Sequence, residues 1–370
     1  MHVAIIGSGP IAQGAAALLS ERGHTATLWS PRGSLGQGGP MTITTAGLAQ
    51  ITTDVAVAAG PEAVADADVV MFALRGNGHR AAMDAVAPYL RADQSVIISS
   101  QASLGGLYLA RLLAARGIRP LIACWATTVT GGPMADGKVR IGMLRNMLEV
   151  ATIPADRADE GVALSAALFG DRFGVCPNLF AISLSNLNPP FHMANALLNF
   201  TRIENAEDWS NYGGITAAVG QLVEELDAER LALADRMGVT VRTAQEHYRK
   251  SHDDLPDTDS VHELAQAIAA RRKGTSPGPR DVSTRFITED VPFGIAFIVA
   301  LGKLAGVPTP VHSAGLILCN AIYGRDFVTE NDLLAGLDLE NDSLDSLSEQ
   351  VLNGFGAEDA TSSQILDAHL

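Results

Sequence analysis

Cysteine, aromatic side chains and positive charge are all scarce in this 370-residue chain, and each scarcity narrows what it can do. Cys124, Cys176 and Cys319 stand far apart, with no CxxC pair and no metal-ligand rhythm. Three such cysteines support neither a disulfide framework nor a metal site, and they fit a reducing cytoplasm. Lys and Arg number 26 against 41 Asp and Glu, a net charge of -15. That balance argues against nucleic acid as the main partner, because a phosphate backbone calls for a basic face. A local basic pocket for a small anion stays compatible with it. No apolar run reaches the roughly 18 uncharged residues of a membrane span. The nearest candidate, Val291 to Val307, is interrupted by Pro292 and Lys303. The opening MHVAIIGSGP has no basic segment and apolar stretch leading to a cleavage site, so it reads as a buried strand entering a turn. There is no internal repeat. The expectation is a soluble cytoplasmic protein of two domains, globular at 47% apolar and 18% charged residues.

The first half alternates short apolar runs with helical patterns. Strands are expected at His2–Ile6, Ala26–Trp29, Val69–Leu74, Ser95–Ser99 and Pro120–Cys124, with helices near 12–22, 81–90 and 104–116. This alternation implies right-handed crossovers and a Rossmann-type doubly wound parallel sheet. Lys138–Met143 and Leu148–Ile153 read as a further strand pair continuing the sheet, followed by a helix over 156–168. After about Asn186 strand signals fade. Helical stretches such as Gly214–Met237 and Val261–Arg271 take over, and Asn188-Pro189-Pro190 breaks the chain between the two regimes. The expected plan is α/β, a dinucleotide-binding domain over 1–186 followed by an all-α domain over 187–370, with chemistry in the cleft between them. Lys273–Arg280 reads as a loop. The acidic, Ser-rich stretch from Glu340 reads as a loosely held tail or a peripheral helix.

Gly7-Ser8-Gly9-Pro10-Ile11-Ala12 fits GxGxxA directly after a strand and opening a helix. Gly7 permits the tight turn, Gly9 lets the backbone approach a pyrophosphate, and small Ala12 allows close helix–strand contact. The helix N-terminus adds free N–H groups and a positive dipole end. The second strand ends in Trp29-Ser30-Pro31-Arg32, where an NAD enzyme usually carries Asp or Glu for the ribose hydroxyls. Ser30 and Arg32 suit a 2′-phosphate instead, so NADP(H) is favoured and NAD(H) remains allowed. Arg75, in the loop after a later strand, is placed to line the same cofactor.

In the helical half, two stretches concentrate reactive side chains: Asn188-Pro189-Pro190-Phe191-His192, and Arg285-Phe286-Ile287-Thr288-Glu289-Asp290-Val291-Pro292-Phe293-Gly294. With Asn211–Arg230 (NYGG…LDAER) and Gly306–Pro310 (GVPTP), they make the chain resemble the octopine/nopaline (opine) dehydrogenase family over essentially its whole length. The resemblance implies a role for each residue. The histidine of the Asn-Pro-x-x-His motif is the family's general acid/base and falls on His192. The aspartate of the Glu-Asp-Val motif pairs with it and falls on Asp290. The arginine five residues earlier, here Arg285, reaches cofactor phosphates or an anionic substrate group. The implied reaction is NAD(P)H-dependent condensation of an amino acid's amino group with a 2-oxo acid, pyruvate being the first choice, and the reverse oxidation.

The remaining candidates rest on position. Thr127 and Thr128 follow a strand at the sheet's carboxyl edge, and Thr128 is taken as a substrate contact; strand-end packing is the alternative. Trp209 and Tyr212 are candidate walls of an amino-acid pocket, with core packing equally open. Glu229 and Arg230 read as a structural charge pair, and Cys124 has no activating base nearby. The partners expected are the two small-molecule substrates. A homodimer through apolar C-terminal helices is as compatible with the pattern as a monomer. Two other functions stay open: a simple 2-oxo acid reductase of the ketopantoate reductase kind, which relies on lysine and glutamate in its second domain, and a dinucleotide-binding protein without catalysis.

Overall fold

A computed structural model describes residues 1–36, 38–272 and 276–356. The expected Lys273–Arg280 loop at 273–275, and the acidic tail at 357–370, lie outside the described residues. Internal contacts divide the chain into one unit of Met1–Ser183 together with the segment from Asp345, and a second of Leu184–Leu344. The sequence reading drew the boundary at 186/187 and kept the C-terminal segment with the helices.

The first unit carries an eleven-stranded sheet among the described residues. Its strands in chain order are β1 (His2–Ile6), β2 (Thr25–Trp29), β3 (Gly39–Gly47), β4 (Thr52–Val57), β5 (Val69–Phe72), β6 (Ser95–Ile98), β7 (Leu121–Trp125), β9 (Met134–Ala135), β10 (Lys138–Ile141), β12 (Leu148–Ile153) and β13 (Phe173–Val175). A separate ribbon pairs β8 (Thr130–Gly131) with β11 (Met143–Leu144). The spatial order is β13-β12-β7-β6-β5-β1-β2-β4-β3-β10-β9. From β7 to β4 all neighbours are parallel. The chain winds outward from β1 in one direction and from β5 in the other, so the switch point lies between the carboxyl ends of β1 and β5. Both are continuous apolar runs because both faces of the sheet are covered: Val3, Ile5, Ile6, Val70, Met71 and Phe72 are fully buried. Helix α1 (Pro10–Glu21) packs on this sheet through Ala12, Ala15 and Ala16, small enough for close approach.

Two sequence expectations are corrected. Lys138–Met143 and Leu148–Ile153 do not form a pair: β12 runs antiparallel to β7, whereas β10 lies near the opposite edge beside β3. The β3–β4 hairpin that receives β10 was not expected, because its Thr-rich, half-exposed strands lack an apolar run. The second correction concerns Pro189 and Pro190. They occupy the first turn of a helix, where a missing N–H costs nothing, and so they open Asn188–Leu198 rather than break the chain.

After α2 (His79–Val86), α3 (Gly105–Ala114), α4 (Ala158–Phe169) and α5 (Leu179–Leu184), the second unit is helical. It comprises α6 (Asn188–Leu198), α7 (Phe200–Glu204), α8 (Ala217–Arg236), α9 (Ala244–Ser251), α10 (Val261–Arg271), α11 (Arg285–Thr288), a π-helical turn at Val291–Ile295, α12 (Ala296–Ala305), α13 (Pro310–Tyr323) and α14 (Asp332–Leu337). Its own core gathers Phe191, Met193, Val223, Leu226, Ile287 and Phe327. The helix Leu344–Asn353 answers the expectation of a peripheral helix, and Arg111 of α3 caps the ring of Phe355 just beyond it.

Glu229 and Arg230 do not pair with each other. Arg230 is fully buried and donates to Asp227 Oδ1 and to the carbonyls of Leu184 and Arg242. Glu229 accepts from the Val311 and His312 N–H groups and from His312 Nδ1, capping α13. Burial works against its charge, but these donors outweigh burial and hold the carboxyl below its ordinary pKa.

Candidate active site

At the switch point of the first unit, Gly7 ends β1 with φ +145, and a Cβ there would lie 2.4 Å from the Ala73 carbonyl oxygen just past β5. Only glycine lets the two strand ends come this close. Gly9 caps α1 without a side-chain hydrogen bond, Pro10 sits in its first turn, Ile11 is half-buried and Ala12 is buried. A Cβ on Gly9 would meet nothing within 4 Å, so open space lies directly over the helix N-terminus. Free N–H groups, a positive dipole end and that space fit a pyrophosphate.

Beside this turn, Ser34 Oγ donates to Ser8 Oγ (2.7 Å) and shares a 2.8 Å hydrogen bond with buried Ser30 Oγ. Ser34 was not singled out in the sequence, although it lies only four residues past Ser30. Arg32, between them, is exposed. No carboxylate partner for these hydroxyls is present at 29–36, since the segment contains none. The set fits a dinucleotide whose adenosine end carries hydroxyl or phosphate oxygens. Exposed Arg75 precedes the turn that leads into α2.

His79, the first residue of α2, is fully buried and donates Nε2–H to the Leu74 carbonyl at 3.1 Å. Burial pushes its pKa down to about 4 from the ordinary 6.5, against that hydrogen bond. A histidine kept neutral in the fold stabilises it fully above the unfolded pKa, and the contribution is lost as pH falls toward the folded value. Between pH 7 and pH 5, wild type should therefore lose about 2 kcal/mol more unfolding free energy than His79→Asn. Urea titrations at the two pH values measure the difference, and equal losses would assign the acid sensitivity elsewhere.

The loop after β6 was missed by the sequence reading. Ser100, Ser103 and Leu104 all have positive φ (74, 43 and 56). Ser99 Oγ and Gln101 Nε2 are buried without a hydrogen-bond partner among the described residues. Left-handed non-glycine residues cost energy and gather at functional loops, and orphaned buried donors invite a ligand atom. The legible signal was a polar Ser-Ser-Gln run at the carboxyl end of a parallel strand. Thr128, after β7, is half-buried and donates its hydroxyl to the Thr130 carbonyl at 2.8 Å. Burial pushes the Cys124 thiol far up, which removes it as a nucleophile.

In the second unit, α6 and the segment after α11 bring the two motif stretches together. His192 Nδ1–H donates to Asp290 Oδ2 at 2.6 Å, across 98 residues of sequence. The side chains are 16% and 8% exposed, so the pair is shielded yet reachable. Arg285 is half-exposed, 3.9 Å from the other Asp290 oxygen and 3.6 Å from Glu289, an ion-pair distance rather than a hydrogen bond. The π-helical turn that follows is held by Asn331, whose amide donates to the Pro292 carbonyl at 2.8 Å. With Nδ1–H committed to a carboxylate, the ring is fixed in one tautomer and Nε2 is the atom that can exchange a proton.

Trp209 is buried, donates Nε1–H to the Pro279 carbonyl at 2.9 Å, and has Gly214 and Gly278 against its ring. Protein therefore takes both its contacts and its polar atom. Tyr212 is half-buried in an aromatic group with Tyr248 and His252, and the Arg272 guanidinium stands 5.8 Å from its ring centre. Phe191, next to His192, adjoins the group through Tyr248. Among the described residues, no cluster of three or more His, Cys, Asp or Glu could hold a metal, and no helix is long and apolar enough to cross a membrane.

Residues 175–323 match the model of a family described as NAD/NADP octopine/nopaline dehydrogenase, alpha-helical domain. The chain is 29% identical to the opine dehydrogenase of Arthrobacter sp. (strain 1C) over 350 residues, which is 91% of this chain and 94% of that protein. Among solved structures, an octopine dehydrogenase with NADH and L-arginine superposes with a TM-score of 0.77 at 17% identity, covering 95% of this chain and 98% of its own. A yersinopine dehydrogenase with NADP+ gives 0.68 at 17% identity, with the same coverage of the two chains.

Proposed function

As a member of the octopine/nopaline (opine) dehydrogenase family, and so an NAD(P)-dependent oxidoreductase acting on CH–NH bonds, the chain has an activity whose particulars we propose as follows: it joins the amino group of an amino acid to a 2-oxo acid, with His192 as the general acid/base. The observation that carries this reading is the 2.6 Å His192–Asp290 hydrogen bond, formed between the two motif stretches within the matched helical domain. The octopine dehydrogenases solved with L-arginine and with pyruvate bind the same two classes of substrate.

The amine attacks C2 of the oxo acid, and the resulting carbinolamine must lose its hydroxyl as water. His192 Nε2–H supplies that proton, and the same atom takes up the proton released from nitrogen. Asp290 keeps the tautomer and balances the charge of the imidazolium. The bound dinucleotide supplies the hydride that reduces the imine carbon. Arg285, half-exposed beside Asp290, offers a guanidinium to a substrate carboxylate. Ser99 and Gln101 offer a hydroxyl and an amide to an anionic group at the sheet's carboxyl edge, with Thr128 at the same edge. Tyr212 walls the amino-acid side chain, while Trp209 holds the loop behind it. Pyruvate is the first oxo acid to test. Cys124, Cys176 and Cys319 are buried and form no disulfide, which supports a cytoplasmic setting.

The cofactor reading is NADP(H), supported by the Ser8–Ser30–Ser34 cluster and by Arg32. Arg32→Ala should raise KM for NADPH by about tenfold or more, the size of one charged hydrogen bond, and leave KM for NADH nearly unchanged. Equal changes for both cofactors would remove the 2′-phosphate role.

Nicotinamide absorbance followed with pyruvate, 2-oxoglutarate or oxaloacetate, each with and without a panel of amino acids, tests the reaction itself. Oxidation requiring both an oxo acid and an amine establishes the condensation. Oxidation by the oxo acid alone would replace it with the simple reductase.

A further inference from the structure

Phe286, the residue after Arg285, lies flat on the His192 imidazole, with ring centres 3.6 Å apart and planes within 6° of parallel. Two neutral rings do not choose this arrangement, because a face-to-face sandwich sets like quadrupoles in register. The other aromatic pairs recorded in the second unit are tilted or edge-on, with centres 4.8 to 6.4 Å apart. The stack becomes favourable when one partner is a cation, which the negative π face attracts.

We propose that Phe286 is a positioning residue for proton transfer, holding the His192 ring in line with Asp290 and favouring its protonated form through the π face. The inference rests on His192 being the acid/base. The ion-pair partner recorded for the ring, Asp290, acts at its edge. Asp290 accepts from Nδ1, and Arg285 lies 3.9 Å from the other Asp290 oxygen and 3.6 Å from Glu289. On the helices packed against α6, the buried charges close on one another: Asp227 with Arg230 on α8, and Glu229 of α8 with His312 of α13. Phe286 therefore covers a face of the ring, while Asp290 works from its edge. A group that must be an acid in one half-reaction and a base in the other gains from a pKa kept near the working pH.

Phe286→Leu isolates the effect, because leucine keeps apolar cover over the ring and removes the quadrupole. The measurement is an NMR titration of the full chain with labelled histidine, the His192 signal being the one absent from His192→Asn. In Phe286→Leu the His192 pKa should fall by about half a pH unit, and Phe286→Tyr should restore it. The inflection of the kcat/KM profile for reduction should move down by the same amount. If the leucine variant does not fold, Phe286→Trp provides the opposite test, since the stronger π face should raise the pKa. An unchanged pKa in a folded leucine or tryptophan variant would reduce the contact to packing and overturn the proposal. The titration reads the ring directly, so it decides the π contact even if His192→Asn leaves turnover intact and the acid/base reading fails on its own.

Discussion

Replacing His192 by alanine should lower kcat by about 10²–10⁴ in both directions while leaving dinucleotide affinity nearly intact. The size is that of a lost general acid/base. The selectivity follows from where the groups sit: the turn and hydroxyls that fit the dinucleotide belong to the first unit, whereas His192 and its carboxylate belong to the second. The variant also leaves Asp290, 6% exposed, without its 2.6 Å donor. Stability should fall by about 1–3 kcal/mol, the cost of an orphaned buried acceptor. Asp290→Asn separates the two effects. An amide can still hydrogen-bond to Nδ1, so most of the stability returns, but when it donates it holds the ring in the wrong tautomer and turnover stays low. Steady-state kinetics with cofactor titration by fluorescence would show it. Unchanged kcat in the alanine variant removes His192 from the mechanism, and a matching loss of cofactor affinity would mean that the variant had disturbed the fold.

The sequence made β1, α1, β2 and the β5–β7 core legible because a strand buried on both faces must be apolar throughout, and a helix lying on it must be small-sided. It concealed the β3–β4 hairpin, whose strands are half-exposed and interrupt any apolar run with threonine. It misplaced β10, since pairing partners so distant in sequence leave no trace in local periodicity. The tight turn between β1 and α1 was readable from Gly7 and Ala12, because Gly7 answers a local backbone demand and Ala12 a close helix–strand contact. The dyad was not readable from physics alone. Nothing about Asn188–His192 or Arg285–Asp290 taken singly says that they meet, and the family resemblance supplied the pairing. What stayed hidden was tertiary: the face contact of Phe286, the Ser34 hydroxyl reaching Ser8, and the unpartnered Ser99 Oγ and Gln101 Nε2. None of these has a periodicity to betray it.

Gly294→Ala should lower kcat by about 10–100-fold without touching any reacting atom. Gly294 lies in the π-helical turn just past Asp290, and a Cβ there would come within 2.2 Å of Pro189 Cγ and 2.4 Å of Pro189 Cβ. Pro189 is three residues before His192 on the first turn of α6. Its ring cannot rotate away as a flexible side chain would, so the turn and the helix must part. That displacement opens the His192–Asp290 hydrogen bond, and misplacement of about 1 Å is enough for a 10²-fold loss. Overpacking at this contact should also cost about 1–3 kcal/mol of stability. The second change Pro189→Gly removes both ring atoms that a Cβ on Gly294 would strike most closely. A double variant should therefore recover more kcat than the two single effects predict, and the thermodynamic cycle measures that coupling directly. Recovery of stability without recovery of kcat would show that the turn supports the fold but does not set the dyad. Additive losses in both would mean that the close approach of Gly294 to Pro189 carries neither.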